Sequence, residues 1–145
     1  MNEACKISRL VMHCDLGWIG VAATSGGVLR IILPGKSKKT VNRNLQGTMC
    51  SVARSEKPKS SSGEILQATK KSLTRYFSGK SVSFDVPLDL RYHTPFQQAV
   101  WRAAAEIPYG QTRPYAWIAR TIKNPRAVRA VGQALGANPI PIIIP

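Results

Sequence analysis

Proline and glycine cut the C-terminal part of this chain into pieces too short for anything but small helices. Pro108-Tyr109-Gly110, Lys123-Asn124-Pro125 and Gly136 each interrupt an apolar period. Thr94-Pro95-Phe96-Gln97 opens the first piece, with Thr94 as N-cap, Pro95 at N1 and Gln97 at N3 to complete a capping box. Phe96, Val100, Ala103 and Ile107 then recur at helical spacing. A second helix is predicted over 114–122, with Tyr115, Ile118, Ala119 and Ile122 on one face. After a turn at Lys123-Asn124, a third begins at Pro125 and turns Val128, Val131 and Leu135 inward. Helix, tight turn, helix is the outline of a helix-turn-helix, although any pair of packed helices can imitate it.

The N-terminal part reads differently. Residues 7–13 and 18–24 alternate as strands, Ser25-Gly26-Gly27 supplies a tight turn, and Val28–Leu33 runs back as a third strand. From 35 to 63 the pattern dissolves, with seven basic residues and one acid between Lys36 and Ser62. That stretch is predicted to be a long basic loop. Glu64–Phe77 is predicted as the helix that covers the sheet, carrying Ile65, Leu66, Thr69, Leu73, Tyr76 and Phe77 on one stripe. Residues 81–90 follow as a short strand ended by Pro87. The expected fold class is α/β in the broad sense, of α+β layout: a subdomain over 1–90 with a small antiparallel sheet and a helix, then a mainly helical one over 91–145.

Charge bears on the partner. Lys and Arg number 21 against 7 Asp and Glu, a formal net charge of +14, which favours a polyanion. Over 107–145 there are five basic residues, Arg113, Arg120, Lys123, Arg126 and Arg129, and no carboxylate. A solvated helix pair ordinarily mixes signs to gain i,i+4 pairs; a surface of one sign fits a phosphate backbone better. The third helix is also thin, with Ala127, Ala130, Gly132, Ala134 and Gly136. A glycine inside a helix costs roughly 1 kcal/mol against alanine. Such thinness serves either a narrow groove or a closely packed neighbouring helix.

Apolar residues make up 43% of the chain, which excludes global disorder. Cys5, Cys14 and Cys50 form no CxxC pair, and only His13 and His93 could join them, so no metal site is expected. The opening MNEACKISRL has no long apolar core of a signal peptide, and no apolar stretch is long enough to span a bilayer. A soluble intracellular protein, in cytoplasm or nucleus, with no membrane partner and no cofactor is expected, and a monomer.

Two stretches carry a resemblance: TPFQQAVWRAAAEIPYGQTRPYAWIAR, and NPRAVRAVGQALGANPIPIIIP at the end. Together they resemble the methylated-DNA–protein-cysteine methyltransferases, the O6-alkylguanine-DNA alkyltransferase family. The likeness is dense over 94–145 and looser before it, where the family has a subdomain of ribonuclease-H-like topology. The resemblance implies single-turnover repair of duplex DNA containing alkylated guanine. The base is flipped out through the minor groove and its O6 alkyl group passes to a protein cysteine.

Residue by residue, Arg129 matches the arginine that enters the duplex and fills the vacated space; read alone, it is equally a phosphate-contacting arginine. Tyr115 matches the tyrosine that crowds the target's phosphate, though its apolar stripe also allows a core role. Pro114 departs from the small or hydroxyl residue the family more often has there. Ala116 matches a backbone-contacting position, and Gln97 and Asn124 match further DNA contacts, Asn124 being also a natural turn residue. Asn138 and Pro141 match positions that shape the alkyl-binding pocket. Cys5 matches one zinc ligand of some family members, without the rest of the set.

In the family, Cys-His-Arg-Val follows the matched Ile-Pro, so the acceptor cysteine is expected directly after Pro145 and no catalytic residue within the 145. On that expectation PIPIIIP is a buried strand delivering the acceptor, and the 145 residues alone are inactive. The other reading is a non-enzymatic DNA-binding module, kin of the alkyltransferase-like proteins that replace the cysteine and mark lesions.

Overall fold

The structure, a computed structural model, describes residues 6–48 and 60–145. The chain divides into two compact units, one ending at Tyr92 and the other beginning at His93.

The first unit is built on three antiparallel strands in the order β1 (Ser8–Cys14), β2 (Gly17–Thr24), β3 (Gly27–Gly35). The expected meander forms, and the turn before β3 shows why glycine is needed there. Gly27 has φ +147°, and a Cβ on it would lie 2.5 Å from the carbonyl oxygen of Pro87. That close approach lets the Val28 N–H donate to Pro87 O and the Asp89 N–H donate to Val28 O, both at 2.8 Å. The strand expected over 81–90 reduces to this single bridge, Val28 with Leu88. Pro87 has no N–H to extend the ladder.

A larger departure lies in the expected basic loop. Residues Lys38–Gln46 form a helix, α1. Ser37 caps it, its hydroxyl accepting from the Thr40 N–H at 3.3 Å. Val41 and Leu45, one turn apart, are its buried residues, and they pack over Gly20, where a Cβ would meet them at 3.1 and 3.3 Å. At the other end Arg9 donates to Leu45 O at 3.2 Å and Thr48 O at 3.0 Å, setting a cation against the dipole's negative end. Two apolar anchors among exposed cations give no readable period, which is why the sequence showed only a loop. The remainder of that expected loop, 49–59, lies outside the described residues.

Helix α2 (Ser62–Phe77) begins two residues before the predicted start, behind Ser61, which forms a full capping box with Glu64. Ile65, Leu66, Thr69 and Leu73 are buried on its stripe. The Ser8 and Ser62 hydroxyls meet at 2.7 Å. Ser8 and Arg9 are neighbours in β1 and face opposite ways. So α2 covers one face of the sheet and α1 the other, where one covering helix was expected, and β2 is buried from Ile19 to Thr24.

Asp89 locks the end of this unit. Its side chain is buried and accepts from Arg91 Nε and Nη2 at 2.7 and 2.8 Å, and from the Thr24 hydroxyl. Burial pushes this carboxyl up, but the Arg91 and Thr24 hydrogen bonds and the Arg91 charge together outweigh it and hold it below the usual 3.8. A depressed folded value adds stability that is present above the unfolded value and lost as pH falls through the folded one. The urea midpoint of the protein is therefore expected to drop on acidification from about pH 4 downward. Asp89→Asn should flatten that drop. An equal drop in the variant would assign it to other carboxylates.

The second unit holds α3 (Pro95–Ala105), α4 (Tyr115–Thr121) and α5 (Val128–Gly136). The Thr94–Gln97 capping box forms as expected. Trp101 is fully buried, and its indole N–H donates to Ala134 O at 2.8 Å, joining α3 to α5. Val100, Ile118, Ala119, Val131 and Ile140 complete the centre of this core. The start of the last helix and its inward face differ from expectation. Helix α5 starts at Val128 rather than Pro125, because Pro125-Arg126 is spent in a turn in which the Ala127 N–H donates to Asn124 O at 3.0 Å. Of the three residues expected inward only Val131 is buried: Val128 is 37% exposed and Leu135 half-buried, while Ala134 is buried beside Val131. Among the described residues no helix is long and apolar enough to cross a membrane.

Candidate nucleic-acid interface

The turn between α4 and α5 follows from how α4 ends. Lys123 adopts the left-handed conformation, φ +59°. Its N–H donates to Arg120 O and the next N–H, of Asn124, donates to Ala119 O, each at 2.9 Å. This is the Schellman pattern, with lysine where glycine is usual. The backbone of Asn124 is committed to it, while its side chain is exposed.

Helix α5 then presents Arg129 in its first turn, exposed. One turn further along is Gly132, and a Cβ there would lie 3.1 Å from Cε2 and 3.3 Å from Cδ2 of Tyr115. The ring of Tyr115 therefore rests on α5 beside Gly132. Residues at i and i+3 share a helix face, so Arg129 and the Tyr115 ring are neighbours on one surface. Tyr115 is 52% exposed, which sets aside its core alternative. The closely packed neighbour that the thin helix allowed is thus this ring.

Charge on the unit has one sign. Arg102, Arg113, Arg120, Lys123, Arg126 and Arg129 are all exposed, and Glu106 is the single acid from 93 to 145. None of the six is ion-paired among the described residues. Arg113 is ordered without a carboxylate: it donates to Gln111 Oε1 at 2.6 Å and lies 5.8 Å from the centre of the Trp117 ring. Leaving so many cations unpaired creates a positive potential that phosphates can neutralise.

The remaining predicted positions are less open. Gln97 is half-buried, and its amide oxygen accepts from the Thr94 N–H and hydroxyl at 3.1 and 3.2 Å, so the cap uses it. Ala116 is half-buried beside Tyr115 on α4. Asn138 ties off the segment after α5. Its Nδ2 donates to Ile144 O at 2.8 Å, and its Oδ1 accepts from the Ile140 N–H at 2.9 Å. The Ile144 N–H donates to Ile140 O, and Pro141 bridges to Ile144. Residues 138–144 are thus a closed loop and not the expected strand. Ile142 stands at φ +77°, and Ile140, Ile143 and Ile144 are buried. Three isoleucines in a row suggested a strand; the asparagine clamp decides otherwise.

Sequence reasoning missed Trp101 and the partner of Gly132. Trp101 lies off the Phe96–Val100–Ala103 stripe, and the only signal for it was an indole N–H that must find an acceptor once buried. Cys14 is half-buried on β1, while Cys5 and Cys50 lie outside the described residues. No three His, Cys, Asp or Glu side chains are grouped to hold a metal ion among the described residues.

Two family profiles match the chain. One describes the ribonuclease-like domain of 6-O-methylguanine DNA methyltransferase and covers residues 8–90; the other describes the DNA binding domain of the same protein and covers 95–145. The chain is similar to the constitutive methylated-DNA–protein-cysteine methyltransferase of Bacillus subtilis, 49% identical over 80 residues, 55% of this chain and 48% of that protein. It is 58% identical over 73 residues to the corresponding Mycobacterium tuberculosis protein, 50% of this chain and 44% of that one. The chain thus spans about half the length of the curated relatives it matches. Among solved structures, M. tuberculosis O6-methylguanine methyltransferase superposes with a TM-score of 0.69 at 33% identity, over 97% of this chain and 76% of that one. The M. tuberculosis protein crystallised in complex with DNA gives 0.68 at 34% identity, over 94% and 74%.

Proposed function

Because the chain belongs to the methylated-DNA–protein-cysteine methyltransferase family, we propose that its His93–Pro145 unit grips duplex DNA containing an alkylated guanine and extrudes that base through the minor groove. The observation that carries this reading is the exposed, singly charged surface of the unit, on which the Tyr115 ring rests at Gly132, one helical turn from Arg129. Cations neutralise the backbone. The arginine enters the stack as the base leaves, and the tyrosine crowds the phosphate beside it. Extrusion costs a few kcal/mol of stacking, least for a damaged base, which is one source of selectivity. Asn138 and Pro141 shape the wall against which the alkyl group rests, and Gln97, Asn124 and Ala116 add contacts to the backbone.

The chemistry needs a thiolate. Its sulfur bonds to the alkyl carbon as the bond from carbon to O6 breaks, leaving guanine repaired and the protein spent as a thioether. None of Cys5, Cys14 and Cys50 belongs to the matched His93–Pro145 unit. In the resemblance the acceptor belongs to a Cys-His-Arg-Val segment, and the 145 residues hold no such segment. The second reading, a lesion marker with no acceptor, shares the same grip on DNA.

One experiment tests the grip and the need for an added acceptor. A duplex with radiolabelled O6-methylguanine is mixed with the 145 residues and, separately, with a form that continues as Cys-His-Arg-Val and the rest of a relative's C-terminal portion. Both are expected to bind, with log K falling steeply as log salt rises. Label should stay on the DNA in the first mixture and move to protein in the second. Label on the 145 residues would make one of their own cysteines the acceptor. Salt-independent binding would remove the DNA reading altogether.

A further inference from the structure

Gly132 has a helical backbone with no positive φ, so conformational freedom does not explain a residue that costs roughly 1 kcal/mol against alanine in mid-helix. Its surroundings do. The atoms that a Cβ at 132 would meet are Cε2 and Cδ2 of Tyr115, at 3.1 and 3.3 Å, nearer than ordinary van der Waals contact. Gly136, at the end of the same helix, would meet nothing within 4 Å. The contact is therefore particular to 132. Tyr115 is the first residue of α4, half its surface is exposed, and its N-cap, Pro114, makes no side-chain capping bond.

We propose that Gly132 is a positioning residue for Tyr115. By offering bare backbone where any other residue has a methyl group or more, it lets the ring lie directly on α5, one turn from Arg129. The tyrosine and the arginine then meet the duplex as one preset pair. A methyl group at 132 displaces the ring by a few tenths of an ångström or rotates it into solvent. Because Tyr115 is exposed, that displacement leaves the core of the unit intact. The inference rests on the proposed role of Tyr115 in extrusion, but the seating of the ring is testable without it.

The test is a double-mutant cycle on the whole chain, Gly132→Ala, Tyr115→Ala and both together. It is read by thermal unfolding, by duplex binding, and by fluorescence of 2-aminopurine paired beside the lesion. Gly132→Ala is expected to leave the unfolding midpoint nearly unchanged, since improved helix propensity offsets the crowding. It should weaken the extrusion signal about fivefold, a coupling of ordinary size for residues in contact. In the Tyr115→Ala background the same change should do nothing further. Equal losses in both backgrounds would mean that the methyl obstructs DNA by itself, and the positioning role falls.

The seat is also read directly by NMR. The ring current should shift the Gly132 Hα resonances, and Tyr115→Ala should abolish that shift. Its absence in the unmutated protein overturns the inference whatever the DNA results. If the ring-current shift is present but neither variant alters extrusion while Arg129→Ala does, the grip on DNA stands and the positioning role is refuted. If the unmutated protein extrudes no base at all, the functional reading has failed, separately from the packing.

Discussion

Trp101→Ala is expected to cost the His93–Pro145 unit about 3–5 kcal/mol, the range for removing a large aromatic from a packed core. Two effects add. The indole is completely buried, so its loss leaves a cavity between α3 and α5, and Ala134 O loses the shorter of its two hydrogen bonds, keeping the one from the Ala137 N–H at 3.2 Å. A unit of this size has a total stability of similar magnitude. Urea unfolding followed by circular dichroism should therefore show helical signal lost at low denaturant, with the sheet-containing unit melting later. Trp101→Phe keeps most of the volume and drops only the hydrogen bond, so it should recover more than half of the loss. A Trp101→Ala loss below about 1 kcal/mol would mean that the core closes without the indole.

Arg129→Ala should have the largest effect on DNA. The side chain is exposed and lies outside the core, so thermal stability should hold. Binding to a duplex containing O6-methylguanine is expected to weaken about tenfold, roughly 1.4 kcal/mol, and 2-aminopurine fluorescence from the extruded site should largely disappear. A simple phosphate contact predicts something different: binding weakens, the slope of log K against log salt falls by about one, and extrusion survives. Arg126→Ala, three residues earlier and equally exposed, is the control expected to behave in that second way. If the two variants behave alike, Arg129 is one cation among several and has no special place in the duplex.

What could be read from the chain was whatever is local. Thr94 and Gln97 are three residues apart and form their box by themselves; Gly26-Gly27 sits between two apolar runs and makes a hairpin. The stripe of α2 is long enough to show its period. Where the deciding contact is distant in sequence, reading failed. Helix α1 has only Val41 and Leu45 to announce it, and its third support, Arg9, comes from a strand 36 residues before Leu45. The isoleucine run looked like a strand because β-branched residues favour one, yet Asn138 turns it into a loop with two hydrogen bonds. The candidate site divides the same way. Motif named Arg129 and Tyr115, but the contact of Gly132 with the Tyr115 ring, made between residues 17 apart, left no trace in any local pattern.

Lys123 carries a last implication. It occupies the left-handed position at the end of α4 that glycine would fill with less strain, at a difference of order 1 kcal/mol. Lys123 is also one of the exposed cations of that singly charged surface, so the residue easiest on the backbone is the one that would remove a positive charge from it. Idealising this turn with glycine would therefore trade charge for backbone ease: the α4 end would become sturdier, and on the proposed reading the unit would hold a polyanion less firmly.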